Sequence, residues 1–249
     1  MIAFKDHFSS HAADYAAYRP AYPAALAAWL SSVAPAPTAA LDVGCGSGQL
    51  SLLLAGHFER VVATDPSARQ IDSAIAHPRI DYRVAPAEAS GLPNASVDLI
   101  TAAQAAHWFD LPAFFAEARR LLRPGGVIAL ISYAGMEGPG EVEAIVERFR
   151  LVTLKDHWPP ERALVENRYR DIHLPFAAIA PPDFAIEAQW PLAALIGYLD
   201  TWSAVRAMER TDGRAAFDAA VAELTRAWGD PADNRTIRWP LTILTGRHS

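Results

Sequence analysis

The stretch Leu41-Asp42-Val43-Gly44-Cys45-Gly46-Ser47-Gly48-Gln49-Leu50 decides the fold. An apolar run leads into three alternating glycines, and the apolar pattern of a helix begins at Leu50. A strand that enters a glycine-rich turn and then a helix commonly forms a cradle for a phosphate or a nucleotide. Glycine lets the backbone approach a ligand closely and adopt dihedral angles that a Cβ disfavours. Residues 44–48, here called the glycine turn, therefore predict a nucleotide-type ligand.

Strand-like and helix-like segments alternate five times from residue 39 to residue 132. Strand-like runs cover about residues 39–43, 60–64, 82–85, 97–102 and 127–132, and amphipathic segments lie between them. Ser67 and Asp110 begin two of the helices, since each can cap the main-chain amides that follow. This alternation is typical of a parallel sheet wound by helices on both faces. Ligands of such sheets bind beyond the carboxyl ends of the strands, so the chemistry is expected there.

The second half of the chain has a different pattern. Residues 141–155 are predicted to be helical, and residues 158–182 are rich in proline and aromatic side chains. Residues 184–190 alternate like an antiparallel strand, and two helical stripes follow, over residues 192–205 and 217–228. Residues 236–246 are predicted to form one last strand. Two helices between two strands are more than the sheet needs, so we expect a helical cap over the ligand crevice.

Composition excludes several classes of protein. The 249 residues carry a net charge of -6, which disfavours a surface for nucleic acid or anionic membrane. Cys45 cannot form an internal disulfide because no other cysteine is present, and the sequence contains neither a signal peptide pattern nor a membrane-spanning apolar run. A cytoplasmic protein is therefore expected. His57, His77 and His173 have no companion groups at metal-ligand spacing, so no metal site is predicted.

The ligand class follows from the sixth position of the glycine pattern. A dinucleotide-binding turn has glycine there in G-x-G-x-x-G, because the pyrophosphate lies against the helix start. In this chain the sixth position is Gln49, whose side chain crowds that space. S-adenosylmethionine carries no phosphate, and an alternating glycine turn is sufficient for its amino-acid end. Asp65 lies about twenty residues beyond the turn, the spacing of a carboxylate that grips a ribose diol in either ligand class.

The motifs together resemble those of one enzyme superfamily. They are Leu41–Gly48, Ala63–Ser67, Ala87–Pro93 and Leu121–Gly126. In this order they resemble the motifs of class I S-adenosylmethionine-dependent methyltransferases, of the methyltransferase type 11-like kind. Three shorter pieces, Tyr15–Pro23, Ala105–Phe109 and Thr201–Ser203, resemble the trans-aconitate methyltransferase-like branch. The chain departs from its relatives at Pro86, where an aspartate is frequent.

The resemblance implies a seven-stranded, mostly parallel, doubly wound α/β sheet with a helical cap inserted near the C-terminal strands. The implied divisions are a helical lead-in and lid at 1–38 and a cofactor-binding core at 39–138. Residues 139–235 would supply the remaining core elements and the substrate cap, and residues 236–249 the last strand. The implied S-adenosyl-L-methionine site consists of Arg19, Asp42, Gly44, Cys45, Gly46, Gly48, Asp65, Pro66, Gln70, Ala87, Glu88 and Gln104.

Several of these residues have structural alternatives. Asp42 could hold the cofactor's ammonium group directly or through water, or cap the amides of the glycine turn. Gln70 could reach the cofactor or only close a capping box with Ser67. Arg19 could pair with the methionine carboxylate or belong to an ordinary amphipathic helix. His107 could act as a general base, or pack the cap against the sheet.

The predicted function is transfer of a methyl group to a small-molecule acceptor, such as a carboxylate or a hydroxyl. Arginines of the cap that point inward would suit an anionic acceptor. The candidates are Arg150, Arg162, Arg168, Arg170 and Arg206. Two alternatives stay open at this point: a non-catalytic cofactor-binding module of the same fold, and a nicotinamide-dependent oxidoreductase.

Overall fold

A computed structural model describes residues 20–249. The sequence predictions for Tyr15, Tyr18 and Arg19 lie outside the described residues. Within that part of the chain no helix is both long and apolar enough to cross a membrane.

The strands and helices alternate as the sequence predicts through the first half of the chain. The strands are β1 Ala39–Val43, β2 Arg60–Asp65, β3 Ile80–Val84, β4 Val97–Ala103, β5 Leu122–Ser132, β6 Ala177–Ile179, β7 Ala185–Trp190, β8 Arg235–Pro240 and β9 Thr242–Arg247. The α-helices are α1 Ala24–Val33, α2 Gln49–Ala55, α3 Ala68–Asp72, α4 Leu111–Leu121, α5 Glu141–Arg148, α6 Arg162–Glu166, α7 Leu192–Asp200, α8 Ser203–Thr211 and α9 Ala215–Trp228.

A seven-stranded sheet forms the centre, with the strand order β3-β2-β1-β4-β5-β9-β6. Strands β1 to β5 are mutually parallel, and β9 runs antiparallel to both β5 and β6. The predicted doubly wound, mostly parallel sheet is therefore confirmed. Because β2 and β4 lie on opposite sides of β1, the strand order reverses at β1, and the glycine turn leaves the sheet at this switch point.

Apolar side chains cover both faces of the sheet. On one face Leu26 and Leu30 of α1 pack with Leu54 of α2 in a core that is closed to solvent. On the other face Phe114 and Leu121 of α4 belong to a second core. These stripes are the ones that the helical periodicity predicts, since each apolar face must be buried against the sheet.

The cap has a core of its own, built largely from aromatic residues. Trp228 and Trp239 are completely buried in it, and Trp202 lies within 5.7 Å of Tyr198 between ring centroids. Such rings bury large apolar areas, so this cluster stabilises the cap.

The prediction of a single last strand at residues 236–246 is wrong. The chain forms two strands there: β8 pairs with β7 in a separate two-stranded sheet, and only β9 joins the central sheet. Pro240 ends β8 because it cannot donate a ladder hydrogen bond. The expected strand at residues 184–190 exists as β7, but it lies outside the central sheet. The seventh central strand is β6, from the stretch expected to belong to the cap.

Two long predicted helices are interrupted. The apolar stripe over residues 192–205 belongs to α7 and α8, which are separated at Thr201, whose hydroxyl donates to the Tyr198 carbonyl over 2.6 Å. The predicted helix 141–155 is α-helical only to Arg148. A π-helical turn, Phe149–Thr153, follows, closed by a 2.9 Å hydrogen bond from the Leu154 amide to the Phe149 carbonyl.

Candidate active site

The glycine turn is packed against protein at both ends and open in the middle. A Cβ added to Gly44 would lie 2.5 Å from Cβ of Ala105, and one on Gly48 would lie 2.3 Å from Oη of Tyr82. Among residues 20–249, a Cβ added at Gly46 would meet one atom within 4 Å, Oε1 of Gln70 at 3.8 Å. All three glycines have positive φ, which other residues adopt at a cost. The middle of the turn is therefore where a ligand can approach the backbone.

Asp65 ends β2 beside this opening. Its Oδ2 accepts a 3.0 Å hydrogen bond from the Gly46 amide, and its Oδ1 accepts a 2.8 Å bond from the Ser67 amide. The carboxylate is nearly buried and its orientation is fixed by these two donors. The carboxylate thus links the glycine turn to Ser67, the residue that caps α3.

Asp42 lies inside the sheet behind the turn. Its two oxygens accept hydrogen bonds from the hydroxyls of Ser51, at 2.6 Å, and Thr101, at 2.8 Å. The side chain is 1% exposed, and burial raises the pKa of the carboxyl to about 6 despite those two bonds. Asp42 thus ties β1 to β4 and to the start of α2 through side-chain hydroxyls.

Cys45 and Gln70 line the turn. The Cys45 amide donates to the Thr64 carbonyl over 3.0 Å, which joins the turn to β2, and burial raises the pKa of its thiol. The main-chain amide of Gln70 donates to Ser67 Oγ over 3.4 Å, which is the main-chain half of the predicted capping box. Its side-chain Oε1 is buried and has no hydrogen-bond partner among residues 20–249. An orphaned acceptor of this kind, facing an open turn, is suited to a ligand.

The loop after β3 brings the predicted adenine-side residues together. Ala87 is buried, and Oε1 of Glu88 accepts a 2.9 Å hydrogen bond from the Asp110 amide at the start of α4. The loop is tied to β2 by the Ala85 amide, which donates to the Asp65 carbonyl over 3.1 Å. Pro66 follows Asp65 at the same edge of the sheet. The loop is therefore next to the carboxylate that the sequence identifies.

Gln104 follows β4 in an unusual backbone conformation. Its φ of 54° lies in the left-handed region, which a non-glycine residue enters at a cost of about 1–2 kcal/mol. The conformation is held by a 2.8 Å bond from its amide to the Ile131 carbonyl and by another 2.8 Å bond from its Nε2 to the Tyr133 carbonyl. Gln104 thus joins the ends of β4 and β5 at the crevice.

His107 lies one short turn beyond Gln104, in the 3-10 segment Ala106–Trp108. Its side chain is buried, and its Nδ1 is 3.3 Å from the hydroxyl of Tyr169. Burial, assisted by the charge of Arg162, lowers the pKa of His107 to about 3. The imidazole is therefore neutral at physiological pH and a weak base.

The inward-facing arginines of the cap are already paired. Arg150 is buried in the π-helical turn and bonds Glu147 and Glu166. Arg162 donates to Glu166 over 2.9 Å and stacks 4.6 Å from the centre of the Trp158 ring. These contacts balance charge within the cap. Arg206, by contrast, pairs with Asp200 and Glu209 on the cap helices.

Sequence reasoning missed two tyrosines of this region. Tyr82 fills the space beneath Gly48, and Tyr169 contacts His107 from 62 positions along the chain. Tyr82 is one residue of an ordinary strand pattern, and Tyr169 lies in a stretch without periodicity. Neither position carries a local signal, because both contacts arise only when distant segments pack together.

Comparisons with known proteins agree on one family. Residues 41–130 match a model described as a methyltransferase domain. A Dictyostelium discoideum protein named as a methyltransferase is 33% identical over 229 residues, covering 90% of this chain and 87% of that protein. The solved structure of an Anaeromyxobacter dehalogenans protein named as a type II methyltransferase is 50% identical, with a TM-score of 0.87, covering 92% of this chain and 98% of that chain. The YcgJ protein of Bacillus subtilis, at 16% identity and a TM-score of 0.54, shares the fold.

Proposed function

Since the chain belongs to the class I S-adenosylmethionine-dependent methyltransferases, we propose that it methylates a small-molecule acceptor held between the carboxyl edge of the sheet and the cap. The observation that carries the proposal is the pairing of Asp65 with the glycine turn at the switch point. Its carboxylate accepts the Gly46 amide over 3.0 Å, so the sugar-binding group and the open part of the turn are fixed to each other.

The residues fit S-adenosyl-L-methionine, the cofactor of this family. Of the three glycines of the turn, Gly46 is the one at which an added Cβ meets no atom of residues 20–249 closer than 3.8 Å, and the buried Gln70 Oε1 beside it lacks a partner within the same residues. Gln49 at the helix start leaves little room for a pyrophosphate, which this cofactor does not have. When bound, the cofactor supplies a sulfonium methyl group that a nucleophile can displace in line.

We assign the cofactor-binding roles as follows. Asp65 accepts hydrogen bonds from the two ribose hydroxyls, and the main chain at Gly44 and Gly46 faces the amino-acid end. The loop of Ala87 and Glu88 borders the adenine. Gln104, held by Tyr133 and Ile131, borders the methionine end. Asp42 acts from behind the turn, because both of its oxygens are engaged by hydroxyls inside the sheet.

The acceptor side is formed by His107 and the cap. The cap's role is to exclude water and hold the acceptor in line with the methyl group, which lowers the barrier mainly through positioning. A carboxylate acceptor needs no base because it is already ionised at pH 7, whereas a hydroxyl acceptor must lose a proton. His107, buried and neutral, borders this space in the proposal.

Two measurements test the proposal. Calorimetry of the full chain with S-adenosylmethionine, S-adenosylhomocysteine and NADH should give binding of the first two and none of the third. Transfer of a labelled methyl group into small-molecule fractions of cell extract should then identify the acceptor. Binding of NADH without S-adenosylmethionine would overturn the proposal, and label recovered only in protein or nucleic acid would overturn the acceptor class.

A further inference from the structure

Tyr169 is completely buried, and its hydroxyl lies beside the imidazole of His107. The two rings are 6.5 Å apart between centroids and inclined by 40°, and Oη is 3.3 Å from Nδ1. Tyr169 packs in the same core cluster as Val165 and Ile172, so its ring is held by apolar neighbours. The hydroxyl is the group that the core presents to His107.

The backbone that carries Tyr169 is strained. Arg168 and Tyr169 both have positive φ, 54° and 55°, although neither is glycine. A main-chain bond from the Tyr169 amide to the Leu164 carbonyl, 2.8 Å long, and one from the Ile172 amide to the Tyr169 carbonyl, 2.9 Å, hold this turn. Left-handed residues of this kind cost free energy and concentrate near functional sites. This strained turn places the hydroxyl of Tyr169 beside Nδ1 of His107.

The surroundings of the Tyr169 hydroxyl keep it in the protonated form, which is able to donate a hydrogen bond. Burial raises the pKa of Tyr169, while the hydroxyl of Ser132, the charge of Arg162 and the main-chain amide of His107 lower it only in part, so the phenol keeps its proton. The Ser132 hydroxyl is close enough to lower the pKa of Tyr169, but its Oγ makes no hydrogen bond of ordinary geometry within residues 20–249. An imidazole nitrogen is a good acceptor when unprotonated. An unprotonated Nδ1, 3.3 Å away, is therefore an acceptor within reach of the phenol proton.

We propose that Tyr169 is a positioning residue that sets the tautomer of His107: its hydroxyl donates to Nδ1, and the ring carries its proton on Nε2. The consequence rests on the proposed function, because it concerns the acceptor. His107 then offers Nε2–H as a hydrogen-bond donor to an oxygen of the acceptor and does not remove a proton from it. The role of general base expected from the sequence is replaced by that of a donor.

Nitrogen NMR of the full chain tests this directly. The protein is labelled with ¹⁵N in its histidine rings, and the His107 signals are assigned by their loss in His107→Gln. At pH 7 the wild type should show Nδ1 at the shift of a bare ring nitrogen and Nε2 at that of a protonated one. In Tyr169→Phe both shifts should move towards the average of two tautomers. Tyr198→Phe, which removes a buried hydroxyl within the aromatic core of the cap, should leave them unchanged.

Two results would overturn the proposal: Nδ1 protonated in the wild type, or shifts that stay the same in Tyr169→Phe. Where Tyr169→Phe does not fold by circular dichroism, the wild-type spectrum decides alone. A separate titration with S-adenosylhomocysteine keeps the two proposals distinct. Failure of the wild type to bind it would count against the proposed function, and the tautomer would still be read from the same spectra.

Discussion

The hydroxyl of Tyr82 occupies the space that a side chain on Gly48 would need. A Cβ on Gly48 would lie 2.3 Å from Oη and 2.8 Å from Cε1 of that ring. Tyr82 comes from the middle of β3, at the edge of the sheet, and Gly48 precedes α2. One contact therefore fixes the end of the glycine turn against a strand two positions away in the sheet.

Gly48→Ala should destabilise the fold through both its backbone and this contact. Left-handed φ at alanine costs about 1–2 kcal/mol, and forcing Tyr82 aside adds about 1–3 kcal/mol. Gly91→Ala is the matched control, because Gly91 also has positive φ but an added Cβ meets nothing within 4 Å in the described part of the chain, residues 20–249. Denaturant unfolding should show the larger loss at Gly48. Equal losses for the two variants would contradict the packing argument.

Asp65→Asn should weaken binding of S-adenosylhomocysteine by about 10- to 100-fold, the equivalent of one charge-assisted hydrogen bond of about 1.5–3 kcal/mol. The amide group of asparagine would also face a main-chain donor at Gly46 or Ser67. Asp81→Asn, on the neighbouring strand and paired with Arg60 and Arg83, serves as the control. Calorimetry that finds the affinity intact in Asp65→Asn would remove Asp65 from the site.

The buried Asp42 should make stability fall as pH rises. Its pKa is about 6 in the folded chain and 3.8, the ordinary value, in the unfolded chain. Between these two pH values the folded chain therefore binds a proton that the unfolded chain has released. The stability due to this group is fully present below pH 3.8 and lost as pH rises through 6, by about 3 kcal/mol in all. The free energy of unfolding of the wild type relative to Asp42→Asn should therefore decrease across this range.

Unfolding titrations at pH 3.5, 5 and 7 measure that difference. Ser51→Ala offers a directional check, since the Ser51 hydroxyl lowers the pKa of Asp42 and its removal should raise the pKa further. The pH-dependent loss should then be larger in Ser51→Ala than in the wild type. Parallel curves for the wild type and Asp42→Asn would show that the pKa of Asp42 is the same in the folded and unfolded chain.

Gln104→Gly should be more stable than Gln104→Ala by about 1–2 kcal/mol, because glycine adopts the left-handed conformation without a Cβ penalty. Both variants lose the side-chain bond to the Tyr133 carbonyl, so their difference reports the backbone alone. Ala102→Gly, on the same strand in extended conformation, should have the opposite sign and cost about 0.5–1 kcal/mol. Thermal or denaturant unfolding measures both differences. A Gln104→Ala variant more stable than Gln104→Gly, or an Ala102→Gly variant more stable than the wild type, would contradict the prediction.

Of the first five strands, four were predicted from mostly apolar runs bounded by turn residues, whereas β3 alternates polar and apolar side chains and is only partly buried. The sequence was insufficient for β6, whose three residues are mostly exposed and carry no pattern. The division of residues 236–246 between β8 and β9 could have been predicted from the sequence, because Pro240 interrupts this strand-like stretch. The apolar residues of α7 and α8 follow one continuous helical period although the two helices are separate. Periodicity alone does not reveal such a break.

The site divides in the same way. The glycine turn and Asp65 could be predicted because their chemistry and their separation in sequence are both constrained, and Asp65 is found bonded to the turn. Tyr82 and Tyr169 could not, since each acts through a partner from a distant segment. Asp42 lies inside β1, the buried strand in which the sequence places it. Its hydrogen bonds with the hydroxyls of Ser51 and Thr101 could not be predicted, because neither residue has a distinguishing sequence context.

The position of β9 constrains the order in which this protein can be completed during synthesis. β6 hydrogen-bonds to β9 and not to β5, although β6 is made long before β9 leaves the ribosome. The free edge of β5 must therefore wait, unpaired, while the whole cap is translated. Within residues 20–249 the nascent chain depends on β9 to close that edge, so a pause late in translation would prolong exposure of an aggregation-prone strand.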